Sequence, residues 1–133
     1  MLMDKGLCRV IDANLNRLKE GIRVIEDMAR YSQNNKRLSS SLKNLRHLAK
    51  IDDIQALLKS RDAQNDVLRP TISSEMERTS IDSIIIANYK RAQESSRVLE
   101  ELYKVVEPEL SERFKHIRYE LYTLEKENLV SSK

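Results

Sequence analysis

The sequence predicts an all-α fold: a pseudo-twofold bundle of two αα-hairpins, four long helices plus short helical turns in the 52–79 connection between them. Three observations lead there. Apolar residues recur at alternating threes and fours, a helical period. Only two Gly and two Pro occur, too few for the tight turns of a β fold. Finally, part of the first half of the sequence reappears in the second. A chain of 133 residues is long enough for one domain with its own helical core.

Taken in order, Ile11, Leu15, Leu18, Ile22, Ile25 and Ala29 place a first helix at about 5–31, and Asn34-Asn35 breaks it. Leu38, Leu42, Leu45 and Ala49 mark the second. Asp52 is a candidate cap for a further short turn through Ile54, Leu57 and Leu58. From Ser60 to Thr79 the period dissolves into a polar connection that includes Arg61-Asp62-Ala63-Gln64-Asn65-Asp66 and Arg69-Pro70. Connections of that length in a small domain are often functional. Ser80 is the expected cap of the third helix, whose seam is Ile85, Tyr89, Ala92, Ser96, Leu99 and Tyr103. Pro108 suits the first turn of the fourth, which runs through Leu110, Phe114, Ile117, Leu121 and Leu124 to a polar tail, Ser131-Ser132-Lys133. The expected organisation is a single domain over 1–133, with repeat 1 at about 9–50, a linker at about 51–80 and repeat 2 at about 81–127.

The repeat is the most informative feature. Shifted by 74 residues, Ala13-Asn14-x-x-Arg17-x-x-Glu20-x-x-Arg23-Val24-x-Glu26 falls on Ala87-Asn88-x-x-Arg91-x-x-Glu94-x-x-Arg97-Val98-x-Glu100. Helices two and four match at a shift of 72, pairing Leu38 with Leu110, Leu42 with Phe114, Lys43 with Lys115, Leu45 with Ile117 and Arg46 with Arg118. The change of offset gives the second hairpin a shorter turn.

Charge narrows the function classes. The formal net charge is only +3, with Lys/Arg interleaved among Asp/Glu, so neither nucleic acid nor membrane is expected as a partner. Cys8 is the only cysteine, which precludes an internal disulfide and fits a reducing compartment; it reads as a small hydrophobe. The opening Met1-Leu2-Met3-Asp4-Lys5 carries charge where a signal peptide is apolar, and Ile84–Ala87 is far too short to span a bilayer. A cytoplasmic location is expected. Phosphate-loop, dinucleotide, zinc-protease and Cys-x-x-Cys motifs are all absent. His47 and His116 are not equivalent between the repeats and read as surface residues. Tyr119 and Tyr122 read as packing or helix-edge residues.

On a helical wheel of about 100° per residue, with Asn14 at zero, the apolar arc of the first helix runs from Val24 at about 280° to Leu15 at about 100°. Asn14 and Arg17 fall inside that arc, Glu20 lies just past its edge, and Arg23 is on the far side. Asn88 and Arg91 intrude in the same way on the third helix. An arginine facing the core needs acceptors, because an unpaired one costs several kcal/mol. Two readings are open. In one, Glu20 and Glu94 satisfy Arg17 and Arg91 from one turn on, and each motif is a buried network that joins the hairpins. In the other, Arg17, Arg91, Asn14, Asn88 and the flanking Arg46 and Arg118 converge on an anionic ligand, since Arg suits bidentate phosphate binding. Asp62 and Asp66 are candidate Mg²⁺ ligands in the connection, or else make local turn hydrogen bonds.

The segments Ile11-Asp12-Ala13-Asn14-Leu15-Asn16-Arg17 and Glu20-Gly21-Ile22-Arg23-Val24-Ile25-Glu26-Asp27 resemble the helical domain found N-terminal to some bacterial thiamine-phosphate synthases. Leu42-Lys43-x-Leu45-Arg46-His47, Arg61-Asp62, Asp66-Val67, Ala87-Asn88-x-Lys90-Arg91-x-Gln93-Glu94, Arg97-Val98-Leu99-Glu100-Glu101 and Ile117-Arg118-Tyr119-x-Leu121-Tyr122 extend the likeness over about 9–127. The resemblance implies thiamine biosynthesis: phosphorylation of hydroxymethylpyrimidine phosphate to the diphosphate, with ATP as donor, by an enzyme unrelated to the ribokinase-like one. It also implies a site built from Asn14, Arg17, Glu20, Arg23, Arg46, Asn88, Arg91, Glu94, Arg97 and Arg118, with Asp62 or Asp66 positioning Mg²⁺. No residue is singled out as a catalytic base. Two positions depart from the expected pattern: Leu68 stands where Gly follows Asp66-Val67, and Ser95-Ser96 replaces a more helix-favouring pair.

The sequence stops where the synthase barrel would begin, so a separate thiamine-phosphate synthase is the expected partner for joining the two halves of thiamine. A homodimer is compatible with the wide apolar arcs. The competing function is a non-catalytic module that binds such a synthase or a phosphorylated metabolite. A purely structural bundle stands third.

Overall fold

The computed structural model describes residues 4–71 and 78–130, all of it helix, turn or irregular chain. The Ser131-Ser132-Lys133 tail, Met1–Met3 and 72–77 of the connection lie outside the described residues. Among the described residues five α-helices follow in order: α1 (Lys5–Asp27), α2 (Lys36–Leu48), α3 (Ile54–Ser60), α4 (Ile81–Val106) and α5 (Pro108–Val130). A π-helical turn, Met28–Ser32, extends α1.

Ser80 caps α4 as expected, accepting from the Ser83 N–H, and Asp4 and Asn35 cap α1 and α2 in the same way, accepting from the N–H groups of Leu7 and Leu38. Ser83 returns the bond to the Ser80 N–H, a reciprocal cap. Pro108 opens α5, where its missing N–H costs nothing. Asp53, not the expected Asp52, caps α3, and only Leu57 of that turn's apolar residues is buried; Ile54 and Leu58 are exposed.

Helix α1 packs on α4 and α2, α4 packs on α5, and α2 closes the ring against α5; α3 lies on the outside of α1. Every seam residue named for α2 and α4 is buried, and Phe114, Ile117, Leu121 and Leu124 line α5. Cys8 sits among them as a small hydrophobe. Gly21 lets the two repeat-bearing helices meet: a Cβ there would lie 3.2 Å from the Asn88 carbonyl oxygen and 3.4 Å from Ala92 Cβ. The Ser95-Ser96 departure is absorbed by packing. Ser95 Oγ donates back to the Arg91 carbonyl at 2.7 Å, and Ser96 Oγ reaches across to the Phe114 carbonyl at 2.7 Å, tying α4 to α5.

A polar chain crosses the core at the α4–α5 contact. Gln33 Nε2 donates to Asn128 Oδ1 (3.1 Å), and Asn128 Nδ2 donates to the Tyr89 hydroxyl (3.2 Å). Burial pushes the Tyr89 phenol up to about 12, and that of Tyr103 likewise. Both groups hold their protons longer folded than unfolded, so the stability they confer is complete below the unfolded value near pH 10 and declines as pH rises toward 12. The melting temperature is therefore expected to fall across that window. Phenolate absorbance at constant temperature should show Tyr89 and Tyr103 ionising near pH 12 or together with unfolding; ionisation of all five tyrosines in one step near pH 10, with the helices intact, would contradict the burial.

Candidate functional site

The buried arc of α1 is not the one its apolar residues outline. It runs from Gly21 at about 340° through Ile25 to Glu26 and Asp12 at about 120° and 160°, some 60° further round. Val24 is 36 % exposed, whereas Asp12 and Glu26 are 6 % and 3 % exposed. The reason is charge pairing, which a count of apolar residues does not register. Glu26 takes a bidentate guanidinium from Arg46 (Nε–Oε1 2.7 Å, Nη2–Oε2 3.2 Å), and Glu100 takes Arg118 through Nε and Nη2 at 3.0 and 2.9 Å. These pairs are equivalent under the repeat, one inside each hairpin. Asp12 holds Arg61 at 2.7 Å through both oxygens, which pins the start of the connection to α1.

The expected convergence is corrected accordingly. Arg46 and Arg118 do not meet on a shared anion; each is committed to a carboxylate of its own hairpin. Arg17 and Arg91 do not face the core: both are exposed, as are Glu20 and Glu94. Nor do these four form the one-turn pairs of the structural reading, since none has an ion pair or side-chain hydrogen bond among the described residues. Arg23 pairs with Asp27 (3.4 Å), and Arg97 with Glu101 (3.0 Å) and Glu100 (3.5 Å), on the solvent side. Asn14 and Asn88 do intrude, and in the same way. Each Nδ2 donates to the carbonyl four residues back, Val10 at 2.9 Å and Ile84 at 2.8 Å, flanking the α1–α4 crossing.

What the repeat leaves is an exposed motif face at the crossing: Gly21 meets Asn88 and Ala92, Arg17 lies a turn before Gly21 and Arg91 is next to Ala92, and both arginines are exposed, as are Glu20 and Glu94. The connection is anchored further round α1: Asp12, which holds Arg61, lies about 140° around the helix from Arg17, with Glu20 between them. Beyond Arg61, Asp62 accepts from Asn65 Nδ2 at 3.0 and 2.9 Å, a contact that holds its carboxyl below the usual range, and Asp66 Oδ1 accepts from the Leu68 N–H at 3.0 Å. These are the local turn bonds weighed as the alternative to metal binding. Leu68 replaces the expected Gly without strain, since Asn34 alone among the described non-glycine residues has positive φ. Among those residues no group of three His, Cys, Asp or Glu could hold a metal. His47 and His116 are exposed. Tyr119 and Tyr122 pack edge to face at 6.0 Å on the helix edge, with Arg118 over Tyr119 at 4.8 Å.

Residues 9–127 match the ThiD2 family. The chain is a member of that family. Among its relatives is the thiamine-phosphate synthase of Nostoc punctiforme, 40% identical over 118 residues, 88% of this chain and 34% of that protein. Those of Prochlorococcus marinus and Synechocystis are each 37% identical, covering 92% and 90% of this chain and 36% and 35% of theirs. The chain thus spans about a third of the length of these relatives. No solved structure matches it. As in the sequence, no helix among the described residues is long and apolar enough to cross a membrane.

The site reading missed the partners of Glu26 and Glu100 and the anchoring role of Asp12, although the repeat had already paired the glutamates with each other. Their locks carry a stability consequence. Glu26→Gln and Glu100→Gln should each cost roughly 2–3 kcal/mol by leaving a partly buried guanidinium short of its counter-charge, whereas exchanging Glu26 and Arg46 together for Met and Leu should recover most of the loss. Arg17→Ala is expected to stay within about 0.5 kcal/mol. Urea denaturation of the four variants decides it: a neutral Glu26→Gln would mean the pair is not holding the hairpin.

Proposed function

We propose that this protein acts in thiamine biosynthesis and phosphorylates hydroxymethylpyrimidine phosphate to the diphosphate, using ATP and Mg²⁺. The family and the named function of its relatives support the pathway. The observation that carries the chemistry is the pair of exposed, unengaged guanidinium groups, Arg17 and Arg91, near the α1–α4 crossing, while Arg46, Arg61 and Arg118 are tied to carboxylates. Arginines that hold a fold are spent on it; these two are available to a ligand.

In the reaction an oxygen of the pyrimidine monophosphate attacks the γ-phosphorus of ATP, and the bond to the bridging oxygen breaks with its electrons leaving on ADP. A phosphate monoester has a second pKa of about 6, so the attacking oxygen is already anionic at neutral pH. No general base is required, which agrees with a face that offers arginines and carboxylates but no histidine. The protein's task is to hold two mutually repelling phosphates in line. Arg17 and Arg91 would each neutralise one of them, with Asn14 and Asn88, bonded within their own helices, and the exposed Glu20 and Glu94 as their neighbours. Asp62 and Asp66 are the carboxylates that would hold Mg²⁺. They suit an ion that keeps most of its waters and arrives with the nucleotide, since Mg²⁺ commonly takes one or two protein carboxylates. Bound there, Mg²⁺ would supply positive charge against the phosphates of the donor.

Incubation with the pyrimidine monophosphate, ATP and Mg²⁺ should yield the diphosphate, followed by phosphorus NMR. Arg17→Leu and Arg91→Leu should each cut turnover by ~100-fold or more with the melting temperature little changed. Because the chain corresponds to about a third of proteins named as synthases, a second reading is a module that docks on a separate thiamine-phosphate synthase. Absence of turnover combined with saturable binding to such a synthase would select it.

A further inference from the structure

The second hairpin is an internal control for the first. Where α1 turns into α2, a cleft of about 330 Å³ opens between them, lined by Glu26, Arg30, Asn34, Lys36, Ser39, Ser40 and Lys43. Its volume is that of about ten waters, room for a phosphate group and its nearest waters. Both oxygens of Glu26 are occupied by Arg46. The neighbouring Asp27 is engaged by Arg23. Arg30, Lys36 and Lys43 make no ion pair among the described residues; Arg30 lies over the Tyr31 ring at 4.9 Å. The cleft therefore holds three positive charges with no protein carboxylate assigned to them. Lys36 moreover stands at the first position of α2, where the helix dipole disfavours a cation and favours an anion.

In the second hairpin the equivalent corner is built differently. There α4 stays α-helical to Val106 and a single residue, Glu107, separates it from α5. Ser111, the counterpart of Ser39, donates to the Glu100 carbonyl at 2.8 Å and stitches the helices together, whereas Ser39 bonds only the Lys36 carbonyl of its own turn. Lys104, in the place of Arg30, is paired with Glu101 at 2.6 Å. Pro108 and Glu112 stand where Lys36 and Ser40 do. The first hairpin is held open by its elbow: a π-helical turn at Met28–Ser32, then Asn34 in the left-handed region at φ 50°, with the Asn35 N–H donating to the Ala29 carbonyl at 2.8 Å. A π turn and a left-handed non-glycine residue are both costly local departures, and both often mark functional positions.

We propose that this elbow cleft is a binding site for a phosphate-type oxyanion, a phosphate ester or a polyphosphate tail, held by Arg30, Lys36 and Lys43 with Ser39 and Ser40 donating hydrogen bonds. It is separate from the motif face, because Glu26 leaves α1 on the side opposite Arg17, roughly 180° around the helix. The inference does not rest on the kinase reading.

Titration of the full chain with inorganic pyrophosphate, followed by amide NMR, tests it. Saturable shifts are expected at Arg30, Ser39, Ser40 and Lys43. Lys43→Glu, and Ser40→Glu, which installs the carboxylate of the second hairpin, should each weaken binding tenfold or more with an unchanged circular dichroism spectrum. Lys115→Glu, at the position equivalent to Lys43, should leave the affinity within twofold. Inorganic phosphate and ATP run alongside tell a lone phosphate group from a polyphosphate tail, and saturable binding of either at these amides supports the site. The proposal is overturned if none of the three anions saturates, if the shifts gather at Arg17 and Arg91 instead, or if Lys115→Glu costs as much as Lys43→Glu.

Discussion

The fold depends on a buried carboxylate met edge-on by a guanidinium, built twice. Glu26 with Arg46 and Glu100 with Arg118 occupy the same place in each hairpin, where the first helix of the pair meets the second. Neither carboxylate tolerates burial alone, and neither guanidinium would turn inward without it. Arg46 meets both oxygens of Glu26 and Arg118 meets one oxygen of Glu100 through two nitrogens, so each lock fixes one helix against the next. The Asp12–Arg61 pair uses the same chemistry once, without a counterpart, to bring the connection back onto α1.

This arrangement explains why the architecture was legible in the sequence and the polar layout only in part. Helices α2 and α4 declare themselves because their seams are apolar at every turn, and Ser80, Asn35 and Pro108 punctuate them by mechanisms that act within four residues. The arc of α1 was displaced because Val24 and Met28 count as apolar on a wheel while Asp12 and Glu26 do not. The structure reverses their weights: a paired carboxylate goes in and Val24 stays partly out. A partner across a hairpin, twenty residues away, leaves no periodic trace. The only sequence signal was that glutamate and arginine matched their equivalents at shifts of 74 and 72, which identifies both members of a pair without saying that they are one.

The elbow was illegible for a different reason. A π-helical turn has no composition of its own, and Met28–Ser32 continues the apolar period of α1 through Ala29. What the sequence did register was the two-residue change of offset between the repeats. That insertion reappears as the wide turn at Gln33–Asn35 against the single Glu107. Duplication thus makes the comparison sharp: the helices and their locks are held in common, and the turn within each hairpin is where the two diverge in length.

Symmetry also bears on how a kinase would be made from such a frame. Phosphoryl transfer brings together two phosphates that are chemically alike in charge but different in role. A crossing that presents Arg17 and Arg91 in equivalent surroundings offers each phosphate the same kind of cation, and alone would not tell donor from acceptor. The distinction has to come from a part of the chain that occurs once. The connection from Arg61 to Asp66 is such a part, anchored through Asp12 on a face of α1 whose counterpart on α4 carries Ile86. On the proposed kinase reading, the half on α1, the helix that anchors the connection, would take the metal-bearing nucleotide, and the half on α4 would take the pyrimidine phosphate.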